Sequence, residues 1–140
     1  MDINASFDVI AFNQEPLVTV LLAVEPSWVA IGPKHVAAGM NNRAWFYCLE
    51  TAVATSGVKG ETTREYVAKV AGLKLNSTVA AALCDGRLQV HAIDQAATEA
   101  VIPEDDSDGR VTSHDITAEA IVYGTDVSSF FFSDRENIQN

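Results

Sequence analysis

Apolar residues in this chain fall in short runs, and three times a run of strand length is closed by a tight polar turn and answered by a second run. The copies occupy residues 35–47 (HVAAGMNNRAWFY), 78–93 (TVAAALCDGRLQVHAI) and 120–133 (AIVYGTDVSSFFFS). Superposing Ala37, Ala81 and Val122 gives steps of 44 and 41 residues. A repeat of roughly 40 to 45 residues is the size of one four-stranded propeller blade. Such a unit cannot bury both of its faces alone, so it must stack on neighbours. A complete propeller has typically four or more blades. The chain supplies three and part of another, and so reads as a slice of a larger object.

Taken strand by strand, residues 7–12 and 18–24 form two apolar runs separated by Asn13-Gln14-Glu15-Pro16, which is turn chemistry. They are expected to be the outer strands of a preceding, incomplete blade within residues 1–24. Three consecutive blades follow over residues 25–134, with a polar tail at 135–140. In the first, residues 28–31, 35–39 and 44–49 read as strands. After Gly39, the pair Asn41-Asn42 closes a two-residue hairpin with positive φ at both positions. The second blade is expected at residues 66–70, 73–75, 79–83 and 88–93, with Asp85-Gly86 the strongest hairpin signal in the chain. The third runs through residues 111–116, 120–123 and 129–132. It turns after Gly124 at Asp126-Val127, where valine suits positive φ poorly and a different turn is expected. Residues 51–63 and 94–109 read as rim loops. Composition alone favours helix in residues 63–71 and 94–100. The repeat assigns strand to most of the first stretch and leaves a helical turn open in the second.

Composition narrows the function classes. Nine Lys and Arg against 19 Asp and Glu give a net charge of −10, with no basic stripe to neutralise phosphates, so nucleic acid is not an expected partner. Much of the excess lies at Glu104, Asp105, Asp106 and Asp108, read as a solvated loop. The longest apolar run, residues 17–24, is far below the roughly 20 residues a membrane span needs, and no direct membrane insertion is expected. Cys48 and Cys84 form no CxxC pair and fall at non-equivalent repeat positions, as expected of reduced thiols in a cytoplasmic protein.

Several constellations resemble chemistry. From Glu104 to Asp115, acidic groups stand at positions 1, 3, 5 and 12 of a calcium-loop pattern with Gly109 at position 6. Position 1 should be Asp and position 12 the longer Glu, and strand-like flanks replace the helix pair, so an acidic inter-strand loop is the expected reading. His35, His91 and His114 share no metal spacing. Gly57-Val58-Lys59-Gly60 lacks the phosphate-loop order, and no Gly-x-Ser-x-Gly elbow occurs. No catalytic residue, metal ligand or cofactor is assigned. Trp45, Tyr47, Phe130 and Phe132 alternate on third strands, where packing between blades accounts for them.

Residues 24–32 (VEPSWVAIG), followed by residues 36–47 with the unusual run GMNNRAWFY, resemble the WD-repeat protein 19 family, also called intraflagellar transport protein 144. The likeness continues through residues 80–83 with Gly86 and His91, then Arg110, His114 and IVYGTD at 121–126, covering roughly residues 20–132. The Trp-Asp and Gly-His pairs of well-formed WD repeats are absent, so the set is degenerate. The resemblance implies a piece from the junction of two N-terminal propellers in a long protein that continues as a helical solenoid. It further implies a subunit of intraflagellar transport complex A, acting in retrograde ciliary transport and ciliary receptor entry. Partners would be the other subunits of that complex, located in the cytoplasm, cilium and ciliary base.

The expected fold is all-β: a partial WD40-like β-propeller of about three four-stranded blades plus part of a preceding blade. The expected function is a non-catalytic scaffold segment that displays rim loops for protein assembly. The alternatives are a small acidic calcium-binding module using the loop at residues 104–115, or part of a propeller enzyme.

Overall fold

A computed structural model describes residues 5–22, 24–49, 62–95, 98–104 and 109–126. Among them twelve strands follow one another: β1 (Ala5–Ile10), β2 (Pro16–Leu22), β3 (Trp28–Ile31), β4 (His35–Met40), β5 (Arg43–Cys48), β6 (Thr62–Glu65), β7 (Val70–Leu75), β8 (Val79–Cys84), β9 (Arg87–Ala92), β10 (Thr98–Ile102), β11 (Val111–Ile116) and β12 (Ile121–Thr125). They form antiparallel sheets in sequential order, β1-β2, β3-β4-β5-β6, β7-β8-β9-β10 and β11-β12. Each four-stranded sheet is one up-and-down blade, and Ala37, Ala81 and Val122 all lie on the second strand of their sheets.

Turn chemistry sets the register of the two complete blades. Met40 pairs with Arg43, leaving Asn41 and Asn42 as the loop, and Cys84 pairs with Arg87 around Asp85-Gly86. Asp85 and Gly86 both take positive φ, at 52° and 79°, the geometry that matches the twist of the flanking strands. In the first blade Asn41 alone does so, at 55°, where positive φ was expected at Asn42 as well. Gly39 and Gly124 are not turn residues: Gly39 lies within β4 and Gly124 within β12, opposite Ser113. Asp126 directly follows β12, and Val127 lies outside the described residues.

Two expected strand positions are corrected. Residues 66–70 were read as the outer strand of the second blade, yet residues 66–69 are the connection between β6 and β7. The fourth strand of the first blade is instead β6, whose sequence TTRE carries no apolar alternation because it sits at a sheet edge. Likewise β10 occupies part of residues 94–109, read as a loop with a possible helical turn. Both rim loops are thereby shortened, and residues 50–61, 105–108, 129–132 and the tail lie outside the described residues.

Apolar burial is organised in layers between sheets. On β4 three consecutive residues, Val36, Ala37 and Ala38, are all buried, so both faces of that strand are covered. Val36 and Ala38, with Tyr47, pack against Phe7, Val9, Val18, Val20 and Leu22 of the first sheet. Ala37, Ala44 and Phe46 face the other way, onto Val70, Leu73, Leu75, Ala80, Ala82 and Cys84. The next layer joins Ala81, Leu88 and Val90 to Val111, with Ile116 and Ile121 at its margin. First strands lie side by side, β3 against β7 and β7 against β11. This stacking of sheets face to face, each buried by its neighbours, is the architecture of propeller blades.

Candidate functional site

The hairpin turns that stand out in the sequence sit on the seams between blades. Asn41 O accepts the Val70 N–H at 2.8 Å, and Asn42 O accepts the Tyr66 N–H at 2.8 Å while its side-chain amide donates to Tyr66 O at 3.0 Å. One blade on, Gly86 O accepts the Val111 N–H at 2.8 Å. The turn between second and third strands therefore anchors the start of the following blade. At the second seam Arg110 donates to the Asp85 carboxylate at 3.1 Å, and its backbone N–H donates to the Asp126 carboxylate at 2.9 Å. A Cβ on Gly86 would meet Arg110 Cζ at 2.9 Å, so glycine serves both the turn and the guanidinium lying over it.

Turns between first and second strands make another seam. Asn76 Oδ1 accepts the N–H groups of Thr78 and Val79 at 2.9 and 2.7 Å, holding its own turn, while its amide nitrogen donates to Thr117 O at 2.9 Å. Gly32 occupies the same place in the first blade, where an added Cβ would stand 3.0 Å from Leu75 O. The repeat step that relates Ala37, Ala81 and Val122 also relates Gly32, Asn76 and Thr117, and this equivalence is the signal in the sequence that marks the seam. Asn76, Arg110 and Tyr66 are the positions that reading missed.

The most buried polar contact lies between the two complete blades. His91 is fully buried, and its Nδ1 donates to Ala92 O at 2.8 Å, which leaves Nε2 to accept the Tyr66 hydroxyl at 2.7 Å. Phe46 meets the imidazole edge-on, with ring centroids 5.9 Å apart. Burial holds the His91 imidazole below the ordinary histidine range and the Tyr66 phenol above the ordinary tyrosine range. Tyr66→Phe strands Nε2 as a buried acceptor and is expected to cost about 1–3 kcal/mol. Urea titration of the single variant and of Tyr66→Phe/His91→Phe checks this, since the double variant should recover part of the loss.

His35 and His114 are also depressed, in both cases chiefly by burial, and His114 Nε2 donates to Ala81 O of the neighbouring blade at 2.9 Å. Below pH 6.5 the unfolded chain takes up protons that the folded chain resists, so the stability held by three neutral imidazoles is lost on acidification. The urea midpoint is expected to be lower at pH 5 than at pH 7.5, and an equal or higher midpoint at pH 5 would contradict this assignment.

Other candidate chemistry is dispersed. Asp115 lies within β11, its carboxylate accepting the Ile116 N–H at 2.9 Å, and Glu104 follows β10, so strands flank the acidic loop. Among the described residues no group of three or more His, Cys, Asp or Glu is placed to hold a metal ion. No described helix is long and apolar enough to cross a membrane. Neither Cys48 nor Cys84 is in a disulfide, and burial pushes Cys84 up to about 11, away from the thiolate that reactivity requires. Tyr47 is buried and Trp45 half-buried in the layer beneath β1 and β2, while Phe130 and Phe132 lie outside the described residues.

A family model described as the WDR19 second beta-propeller matches residues 7–140. The chain is similar to WD repeat-containing protein 19 of Mus musculus, 40% identical over an alignment of 136 residues, with 90% of this chain and 10% of that protein covered. It is also similar to the protein of the same name in Homo sapiens, 39% identical over an alignment of 133 residues, with 88% of this chain and 10% of the relative covered. The chain thus spans about a tenth of the length of the curated relatives it matches.

Proposed function

Because this chain belongs to the WDR19 second beta-propeller family and is built as a WD-repeat scaffold, we propose that it is a non-catalytic segment of an intraflagellar transport complex A subunit. In this reading its partners are other subunits of that complex. Its settings are the cytoplasm, the ciliary base and the cilium, where the complex serves retrograde transport and receptor entry.

One observation carries the mechanism: the polar groups that stand out are spent on joining blades to each other. Asn41, Asn42, Gly86, Asn76, Arg110 and the Tyr66–His91 pair all tie one sheet to the next. Such seams fix the relative placement of the sheets, and a surface held rigid loses little conformational entropy on binding. Assembly is then a matter of surface display. Co-expression of the tagged chain with the remaining complex A subunits tests this, with co-elution of at least one subunit through size exclusion expected. A chain that elutes apart from every subunit would refute the assignment.

A further inference from the structure

Two polar side chains of β9, Gln89 and His91, are buried, and both are spent on the connection at residues 66–69 that carries the chain from one complete blade into the next. Standing two residues apart, they share one face of the strand. Gln89 Oε1 accepts the Val67 N–H at 3.3 Å, and His91 Nε2 accepts the Tyr66 hydroxyl at 2.7 Å. The connection is further held by Asn42, which bonds both the N–H and the carbonyl of Tyr66, and by Cys84, whose thiol is hydrogen-bonded to the Ala68 backbone. None of these contacts belongs to the ladders of the two four-stranded sheets. The connection can therefore lift while both sheets stay paired.

The imidazole fits this setting in one protonation state only. With Nδ1 donating to Ala92 O, Nε2 holds the lone pair of the ring, and an added proton must enter where the Tyr66 hydroxyl already donates. Two donors then face each other. If the phenol oxygen turns to accept from Nε2, its own hydrogen is left inside a layer formed by Phe46 of β5 and Leu73 and Leu75 of β7. The titratable groups that act on the pair do not relieve the charge. Arg64 of β6 stands over the Tyr66 ring, 5.9 Å from its centroid, and as a cation disfavours a second one, while Cys84 of β8 is a neutral thiol. A proton on His91 is therefore accommodated by parting the ring from Tyr66.

We propose that Tyr66 and His91 form a proton-operated latch, in which protonation of His91 frees the connection at residues 66–69 and slackens the seam between the two complete blades. Closed, the latch holds the ring neutral; lifted, it leaves the ring in water with an ordinary histidine pKa near 6.5. The closed form is then favoured fully above pH 6.5 and loses ground below it, because only the lifted form takes up the proton readily. Between pH 7.5 and pH 5 the lifted population rises by up to about thirtyfold. The latch is a local opening, distinct from the loss of the whole fold on acidification. It is internal to two complete blades and is independent of the ciliary reading. Rigid placement of one sheet on the next is thus a property the chain holds at neutral pH and gives up in acid.

Cys84 supplies the probe, since it is 2% exposed, pairs with Val70 and lies against Ala68, so lifting the connection uncovers its thiol. In a Cys48→Ser chain, Cys84 is labelled with 4,4′-dithiodipyridine, and each rate is divided by that of the urea-unfolded chain at the same pH. The normalised rate is expected to be roughly tenfold to thirtyfold higher at pH 5 than at pH 7.5. Its dependence on urea should be shallower than that of global unfolding, because only a short connection is exposed. His91→Gln removes the titrating ring and keeps an oxygen that can accept the Tyr66 hydroxyl, so its ratio between the two pH values should fall to near one. A rate that does not rise at pH 5, a urea slope equal to that of global unfolding, or a pH response that survives in folded His91→Gln would overturn the latch. If His91→Gln does not fold, the first two readings, taken on the chain with His91 in place, decide the matter by themselves.

Discussion

Phe46→Ala is expected to lower the unfolding free energy by about 3–5 kcal/mol, the range for deleting a fully packed aromatic side chain. Phe46 is 1% exposed and lies in the layer between the two complete blades, with Ala44 beside it, Leu73 and Leu75 across from it and the His91 ring perpendicular to its own. The alanines around it are already too small to collapse into the space left behind. Its loss also removes the edge contact that helps fix His91, so the Tyr66 hydrogen bond should loosen with it. Urea denaturation followed by circular dichroism reads the change. A loss under about 1 kcal/mol would show that the two blades are not held together through this layer.

Gly39→Ala should be the most damaging small substitution in the chain. An added methyl would stand 1.9 Å from Trp28 Cζ2 and 2.3 Å from Cε2, so the indole, which lies flat across the β4 backbone, must leave its place. Trp28 packs at the margin of the same inter-blade layer, so the displacement propagates into the core. Forced overpacking of this kind destabilises by about 1–3 kcal/mol and at times more. In a Trp28→Ala background the three atoms nearest the added methyl are gone and the same substitution should cost less. The two substitutions are thus expected to be strongly non-additive in a double-mutant cycle. Additive effects would mean that Gly39 serves its backbone and not the indole.

The parts of the fold that were legible in the sequence are those governed by local chemistry. Asp85-Gly86 announces a two-residue hairpin because two adjacent residues tolerate positive φ, and both adopt it. The consecutive apolar residues Val36, Ala37 and Ala38 announce a strand covered on both faces. The outer strands β6 and β10 were not legible, since an edge strand pairs on one side and needs no apolar alternation, and TTRE has none. Residues 66–70 misled for the opposite reason. Tyr66 and Val70 look like strand residues because they are buried, yet Tyr66 is buried as the hydroxyl partner of His91, a contact 25 positions distant that no local pattern encodes. The seams at Asn76 and Arg110 depend on which turns the stacking brings together, and they become visible only once repeat positions are compared across blades.

The inner strands carry a further consequence in the size of their side chains. Ala37, Ala38, Ala80, Ala81 and Ala82 are fully buried on the second strands, whereas the third strands present Phe46, Tyr47, Leu88 and His91 to the same gaps. From the second strands to the third the filling between sheets thickens, so this part of each interface is a wedge along which successive sheets fan. The taper sets the angle turned per sheet, and with it the number of sheets in a full circle. Bulkier residues at the alanine positions would flatten the fan and call for more sheets to complete it, which makes this run of small side chains the chain's own record of its curvature.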